Sequence, residues 1–338
     1  MNNHPSKLLP TLIALFTALL SAAAVYVGWH RRKKQNRQHK PEQPDHTNLT
    51  NANEVNYTAQ DVGQFYDQYT DKFLQVYGKV IQAFRTKEVH KLLDYEAQSM
   101  GLMPQNYVLD AGCGVCAPAI YFAQNYHVQI EALTISEVQA VMATAAVAEA
   151  GLEDKIKVTT GDFQQLNQIY PAGVFDVVYF LESFGHAPNQ AAVLQSVWQV
   201  LKPGGVLYIK DLFKKVAPLP QLQPQIDAEI TKINQAYHYN VPNLYHILDQ
   251  ARKLGFVVMS LKTIDIPLED FENLTISNDF QELTGVGKIA GWDGYIFPID
   301  FFELKCYKPL HEPDKGLSRY FLQNLFYLQV QHKKISDL

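Results

Sequence analysis

Apolar residues recur at spacings of three and four from Phe65 through Tyr66, Tyr69, Phe73, Val76, Tyr77, Val80 and Ile81 to Phe84, which predicts an amphipathic helix or helix pair. Beyond it, short apolar runs alternate with helical stretches. Runs at 107–109, 129–133, 157–159, 175–180, 205–209, 256–263 and 301–307 predict strands, and 117–126, 136–150, 191–201 and 244–254 predict helices between them. Alternation of this kind implies an α/β fold, a seven-stranded sheet with helices on both faces. The last two strands lack a long intervening helix, which suits an antiparallel edge hairpin.

A different pattern precedes this body. Residues 8–29 are 22 positions without a charge, followed at once by Arg31-Arg32-Lys33-Lys34. That run is long enough to cross a hydrocarbon core, so residues 1–30 are expected to form a transmembrane helix. The positive-inside rule then makes the chain a single-pass membrane protein with its body on the cytoplasmic side. Small residues at Ser21-Ala22-Ala23-Ala24 keep a cleaved signal peptide as the competing reading. Residues 31–55 read as a polar tether, 56–100 as an N-terminal helical segment and 101–310 as the main domain. A proline-marked cap insertion is expected at about 212–300, and a C-terminal helix and tail at 311–338.

Charge narrows the classes. Residues 1–40 hold seven basic side chains and no acidic one, leaving 22 basic against 34 acidic in the rest, a net charge of −12. An acidic body argues against a nucleic-acid partner, because phosphate neutralisation needs a basic face. Three cysteines do not make a disulfide framework, and no four-ligand zinc set is present, so no metal site is expected. The oligomeric state is left open.

The chemistry gathers at predicted strand ends, where open α/β sheets bind ligands. The first strand runs through Asp110 into Gly112-Cys113-Gly114-Val115-Cys116-Ala117-Pro118. Glycines let a backbone approach a ligand closely, and the following helix start offers free N–H groups. A dinucleotide loop wants another glycine where Ala117 stands, and the next strand does not end in an acid, which disfavours an NAD-dependent oxidoreductase. Thr134-Ile135-Ser136, with Gln139 three residues on, closes the second strand, and Gly161-Asp162-Phe163 the third. The fourth ends at Glu182, and Lys202-Pro203-Gly204-Gly205 precedes the fifth.

This order resembles the class I S-adenosylmethionine-dependent methyltransferases, and the resemblance spans about residues 57–308. It is nearest the sterol C-methyltransferase, tocopherol and cyclopropane-fatty-acid methyltransferase group. Asp67-Gln68-Tyr69-Thr70-Asp71-Lys72-Phe73 is similar to the sterol enzymes' amino-terminal substrate segment. The pattern from Tyr179 and Glu182 to His186-Ala187-Pro188 is similar to their fourth strand. The resemblance implies a Rossmann-like sheet, S-adenosylmethionine as cofactor, and methyl transfer to a lipid or isoprenoid-type small molecule, at carbon. N- or O-methylation of a polar small molecule is the alternative, and a non-catalytic scaffold stands further off.

It also implies residue roles. Asp110 fixes the loop or meets the cofactor's ammonium group, and Gly112 and Gly114 meet its amino-acid part; Thr134 and Gln139 bond its ribose; Asp162 and Phe163 meet its adenine; Cys113 and Ile135 also belong to the cofactor-binding set. Tyr77 and Gly78 close over the methionine end. Glu182 and His186 are the acid–base candidates. Departures are Cys116 and Ala117 where sterol enzymes carry glycines, and Gly185 where the tocopherol and cyclopropane enzymes place a glutamate before the histidine.

Overall fold

The computed structural model describes residues 56–265, 281–285, 298–310 and 330–334. All of them fall in the compact unit Asn53–Leu338. The first helix, α1 (Ala59–Tyr77), opens with Thr58 and Asp61 capping one another and stops at Gly78, whose φ of 70° no other residue type adopts as readily. The predicted stripe therefore divides: Val80, Ile81 and Phe84 lie in an irregular segment leading to α2 (Val89–Met100).

From there the chain alternates as expected: β1 (Tyr107–Ala111), α3 (Ala117–Tyr126), β2 (Gln129–Thr134), α4 (Glu137–Glu149), β3 (Ile156–Thr160), a short α5 (Leu166–Ile169), β4 (Phe175–Leu181), α6 (Gln190–Val200) and β5 (Leu201–Lys214). Helices α7 (Gln223–Tyr237) and α8 (Leu244–Leu254) follow, then β6 (Val257–Asp265), β7 (Ile299–Tyr307) and β8 (Val330–Lys334). Ser136, Asn189 and Asn243 each cap a helix start with a side-chain oxygen on a free backbone N–H.

Five expectations are corrected. The sheet has eight strands, not seven, in the order β3-β2-β1-β4-β5-β7-β6-β8. β6 and β7 pair antiparallel as expected, but β7 sits inside against β5 and the edge strand is β8, parallel to β6, so the hairpin is not the edge. β8 falls where a C-terminal helix and tail were expected; residues 311–329 lie outside the described residues. No helix among the described residues is long and apolar enough to cross a membrane, so the fold is described without the transmembrane helix; the segments 1–30 and 31–55 expected as anchor and tether lie outside them. Part of the expected cap over 212–300 also belongs to the main core. Leu244, Ile247 and Ala251 of α8 and Val258 and Leu261 of β6 are built into the main core, while Ile226, Ile230, Ile233, Tyr239 and Val241 of the 215–243 segment form a separate cluster with Ile299.

The strand period of two sorts side chains to two faces. Leu109 and Ala111, Val178 and Phe180, and Leu207 and Ile209 pack beneath α6 and α8, while Val108, Val177, Tyr179 and Tyr208 pack against α2, α3 and α4. Phe175 joins the first set although its parity assigns it to the second, because the β4–β5 register shifts between Phe175 and Val177. With both faces covered, ligands have access at the carboxyl ends, beside the β1–β4 junction where strand order reverses.

One contact closes that end. Asp67, on α1, accepts hydrogen bonds from Ser136 Oγ (2.6 Å) and the Val138 N–H (3.1 Å), so α1 helps cap α4. Gly63 permits the approach: a Cβ there would stand 3.0 Å from the Ile135 carbonyl oxygen. Asp67→Ala is expected to lower stability by about 1 kcal/mol, the worth of a cap at an exposed position. Urea titration measures it, and an unchanged midpoint would mean that α1 docks without this bond.

Candidate functional site

A cavity of about 870 Å³, including its open mouth, lies over the carboxyl ends of β1 to β4. Asp110, Gly112, Cys113, Gly114, Thr134, Ile135, Gln139, Asp162, Phe163, Glu182 and His186 all line it. Tyr77 and Gly78 do not. Tyr77 is buried with Phe65 and Phe73 in an aromatic cluster, and the chain turns at Gly78 so that Lys79, Ile81 and Gln82 form that wall instead. Ala59, Val62 and Tyr66 of α1 complete it.

The glycine loop is shaped by its backbone. Gly112 has φ 104° and Gly114 φ 54°. A Cβ on Gly112 would fall 2.4 Å from Ser183 Cβ, and Ser183 is itself tied by its hydroxyl to the Ala111 carbonyl (2.6 Å). Beside the loop, Asp110 is 3% exposed and its Oδ2 has no hydrogen-bond partner among the described residues. Burial pushes its carboxyl up to about 7, opposed by the Tyr179 hydroxyl beside it, which lowers it. An unpartnered carboxylate oxygen is costly in such a place and suits a cationic ligand group. Cys113 and Cys116 are buried free thiols, and their mutual contact and burial raise the Cys113 thiol well above its ordinary value.

The other expected cofactor residues are pre-set by one another. Thr134 Oγ1 donates to Gln139 Oε1 (2.9 Å). Asp162 caps the single turn Phe163–Gln165 by accepting from the Gln164 N–H (2.8 Å), and Phe163 lies edge-on to Phe180 at 5.5 Å.

The two acid–base candidates have different settings. Glu182, in the left-handed region at φ 56°, accepts from the Ala83 and Phe84 backbone N–H groups and from Lys210 Nζ (2.7 Å), which engages both its oxygens. His186 lies within hydrogen-bond reach of two groups. Its Nδ1 is 3.0 Å from the His238 carbonyl, which only accepts, so Nδ1 carries the proton. Nε2 therefore accepts from the Tyr66 hydroxyl at 2.7 Å. Burial lowers the imidazole to about 4, keeping it neutral at physiological pH.

Gly185 admits its neighbour Tyr239, whose ring a Cβ at 185 would meet at 1.9 Å. Tyr239 donates to buried Asp211, which burial pushes up to about 7.

Sequence reading missed the parts that long-range contact creates. Tyr66 was one member of a helical stripe, and nothing in the stripe separates it from Tyr69. Lys210 did carry a signal, a charge straight after the apolar run Val206-Leu207-Tyr208-Ile209. Its partners Gln82 and Glu96 had none.

Residues 109–209 match the family described as Methyltransferase domain. Over 112 residues the chain is 38% identical to a sterol 24-C-methyltransferase of Gibberella zeae, covering 33% of this chain and 29% of that protein. Over 169 residues it is 30% identical to the 27-O-demethylrifamycin SV methyltransferase of Amycolatopsis mediterranei, covering 48% and 61%. The chain thus spans less than a third of the sterol relative it matches. Among solved structures, the cyclase SpnF superposes with TM-score 0.62 at 22% identity, covering 75% of this chain and 97% of that one, which is a likeness of fold. The resemblance read from the sequence is borne out over residues 109–209, which match a methyltransferase domain.

Proposed function

We propose that this protein transfers the methyl group of S-adenosylmethionine to carbon of a lipid or isoprenoid-type small molecule. The observation that carries the cofactor part is the unpartnered, buried Asp110 oxygen beside a loop whose Gly112 has no room for a side chain. Asp110 takes the cofactor's ammonium group, Gly112, Cys113 and Gly114 its amino-acid backbone, Thr134, Ile135 and Gln139 its ribose, and Asp162 with Phe163 its adenine. The sterol relatives support carbon as the acceptor.

Bound S-adenosylmethionine supplies an activated methyl group on a sulfonium. The chain's own residues align the acceptor and exclude water. Methylation of an alkene leaves a cation that must lose a proton. Tyr66 Oη takes that proton while its own passes to His186 Nε2, giving an imidazolium whose Nδ1–H stays on the His238 carbonyl. A base held near 4 is strong enough, because a C–H beside a carbocation is far more acidic. Glu182, with its carboxylate already engaged, holds the cavity wall instead of moving the proton.

One observation favours the second reading, transfer to oxygen or nitrogen. Tyr66 donates to His186, so its lone pairs face the cavity as acceptors for a hydroxyl or amine proton. Incubation with radiolabelled S-adenosylmethionine and a total lipid extract, followed by mass spectrometry, decides between them. A labelled C-methyl lipid is expected. A labelled ether or amine would favour the second reading, and no labelled product from lipid or polar extracts would sink both.

Cofactor binding should depend on pH. The carboxylate form of Asp110 is the one that pairs with an ammonium, and burial holds its carboxyl near 7. Affinity for S-adenosylhomocysteine should therefore tighten as pH rises through 7, with proton release on binding visible in calorimetry across buffers of different ionisation enthalpy. Asp110→Asn should weaken binding and abolish the pH dependence; a retained dependence would assign it to another group.

A further inference from the structure

We propose that Lys210 is a positioning residue that holds the 79–84 wall closed over the cavity, by its own bonds to that wall and through Glu182, never touching the reactants. Lys210 lies on β5, 1% exposed, between Ile209 and the buried Asp211. A buried ammonium is tolerated only with several partners. Lys210 Nζ donates to Glu182 Oε1 (2.7 Å) and the Phe84 carbonyl (3.0 Å), bonds Gln82 Oε1, and stands 3.3 Å from Glu96 Oε1.

Two of these partners, Gln82 and Phe84, belong to a segment that is neither helix nor strand. Glu182 grips the same segment through the Ala83 and Phe84 N–H groups. One cation thus ties β4, β5 and α2 to the stretch whose Lys79, Ile81 and Gln82 face the cavity. A plain core ion pair would join the sheet to α2 and leave that stretch alone. Glu182 accepts its strained left-handed backbone at this junction, where the wall meets the end of β4. Phe84 adds a ring stack on Phe301 at 4.4 Å, which anchors the far end of the wall but not the part over the cavity.

The consequence for ligand rests on the reading that this cavity takes S-adenosylmethionine; the closure itself does not. Hydrogen exchange on the full chain tests closure first. In the wild-type protein the Ala83 and Phe84 amides should exchange as slowly as those of β4, although they lie outside any helix or strand. Fast exchange there overturns the proposal.

Lys210→Met leaves two carboxylates without their cation, so it is paired with Glu96→Gln, which removes one charge; Glu96→Gln alone is the control. The double variant should exchange those two amides at least about 10-fold faster, with β1 and β4 unchanged, and bind S-adenosylhomocysteine at least about 10-fold more weakly. Unaltered exchange in the folded double variant overturns the proposal. Local opening in a protein that never binds S-adenosylhomocysteine, wild type included, would sustain Lys210 as the clasp and remove the cofactor reading.

Discussion

Gly112→Ala should abolish useful cofactor binding in a protein that still folds. Gly112 has φ 104°, a region that alanine rarely enters, and the new methyl would sit 2.4 Å from Ser183 Cβ and 2.7 Å from its Oγ. Ser183 cannot swing away cheaply, because its hydroxyl is bonded to the Ala111 carbonyl at the end of β1. Relief must come from the loop, which is the surface that meets the ligand. Affinity for S-adenosylhomocysteine should fall at least about 100-fold, equivalent to about 2.7 kcal/mol. Gly151→Ala provides the comparison. Gly151 has φ 66° with nothing within 4 Å of its Cβ position, so it should lose about 1 kcal/mol of stability from backbone strain alone and leave affinity intact. Calorimetry on both separates strain from shape. Equal affinity in wild type and Gly112→Ala would place the cofactor away from this loop.

Why this loop was readable and other parts were not follows from the range of the interactions. Glycine at 112 and 114, proline at 118 and the serine cap at 136 act on their own backbone, so their meaning is local and visible in the sequence. The alternation of strands and helices is local too, and it placed β1 to β5 closely. What no local pattern carries is strand order across long connections. β7 enters between β5 and β6, and β8 adds an eighth strand from a stretch without a strand signal. The same limit applies to the site. Asp67, about 70 residues from Ser136 in sequence, seats the first helix on the second strand's loop. Tyr77 is placed at the cavity by the resemblance alone, but the helix turns it into the cluster with Phe65 and Phe73. Glu182 was legible as a site residue and illegible as a clamp, since the amides it binds lie nearly 100 positions earlier. Gly185 was noted as a missing glutamate; the ring of Tyr239 that fills the space comes from the 215–243 segment beyond β5.

Tyr66→Phe is expected to slow turnover by 10²–10⁴-fold, the usual worth of a general acid–base group, with cofactor affinity nearly unchanged. The substitution keeps the ring that stacks on Phe73 at 5.3 Å and meets the His186 ring at 5.1 Å, so packing is preserved and the loss isolates the hydroxyl. His186→Ala should lower turnover comparably, because Tyr66 would then have no acceptor for its proton. The double variant should be little slower than either single one, as befits two groups passing one proton. pH supplies a second readout. His186 is held down to about 4 by burial, so at saturating cofactor kcat should be level from pH 6 to 8 and fall only as pH approaches 4. Stability follows the same sign. The folded value lies below the unfolded 6.5, so the contribution is fully present above pH 6.5 and is lost as pH falls through 4, by about 3 kcal/mol at most. In His186→Ala that acid loss should shrink. Full turnover in Tyr66→Phe and His186→Ala on the identified acceptor would take both residues out of the chemistry, and a kcat that instead falls between pH 6 and 7 would point to a group with a higher value, such as Asp211.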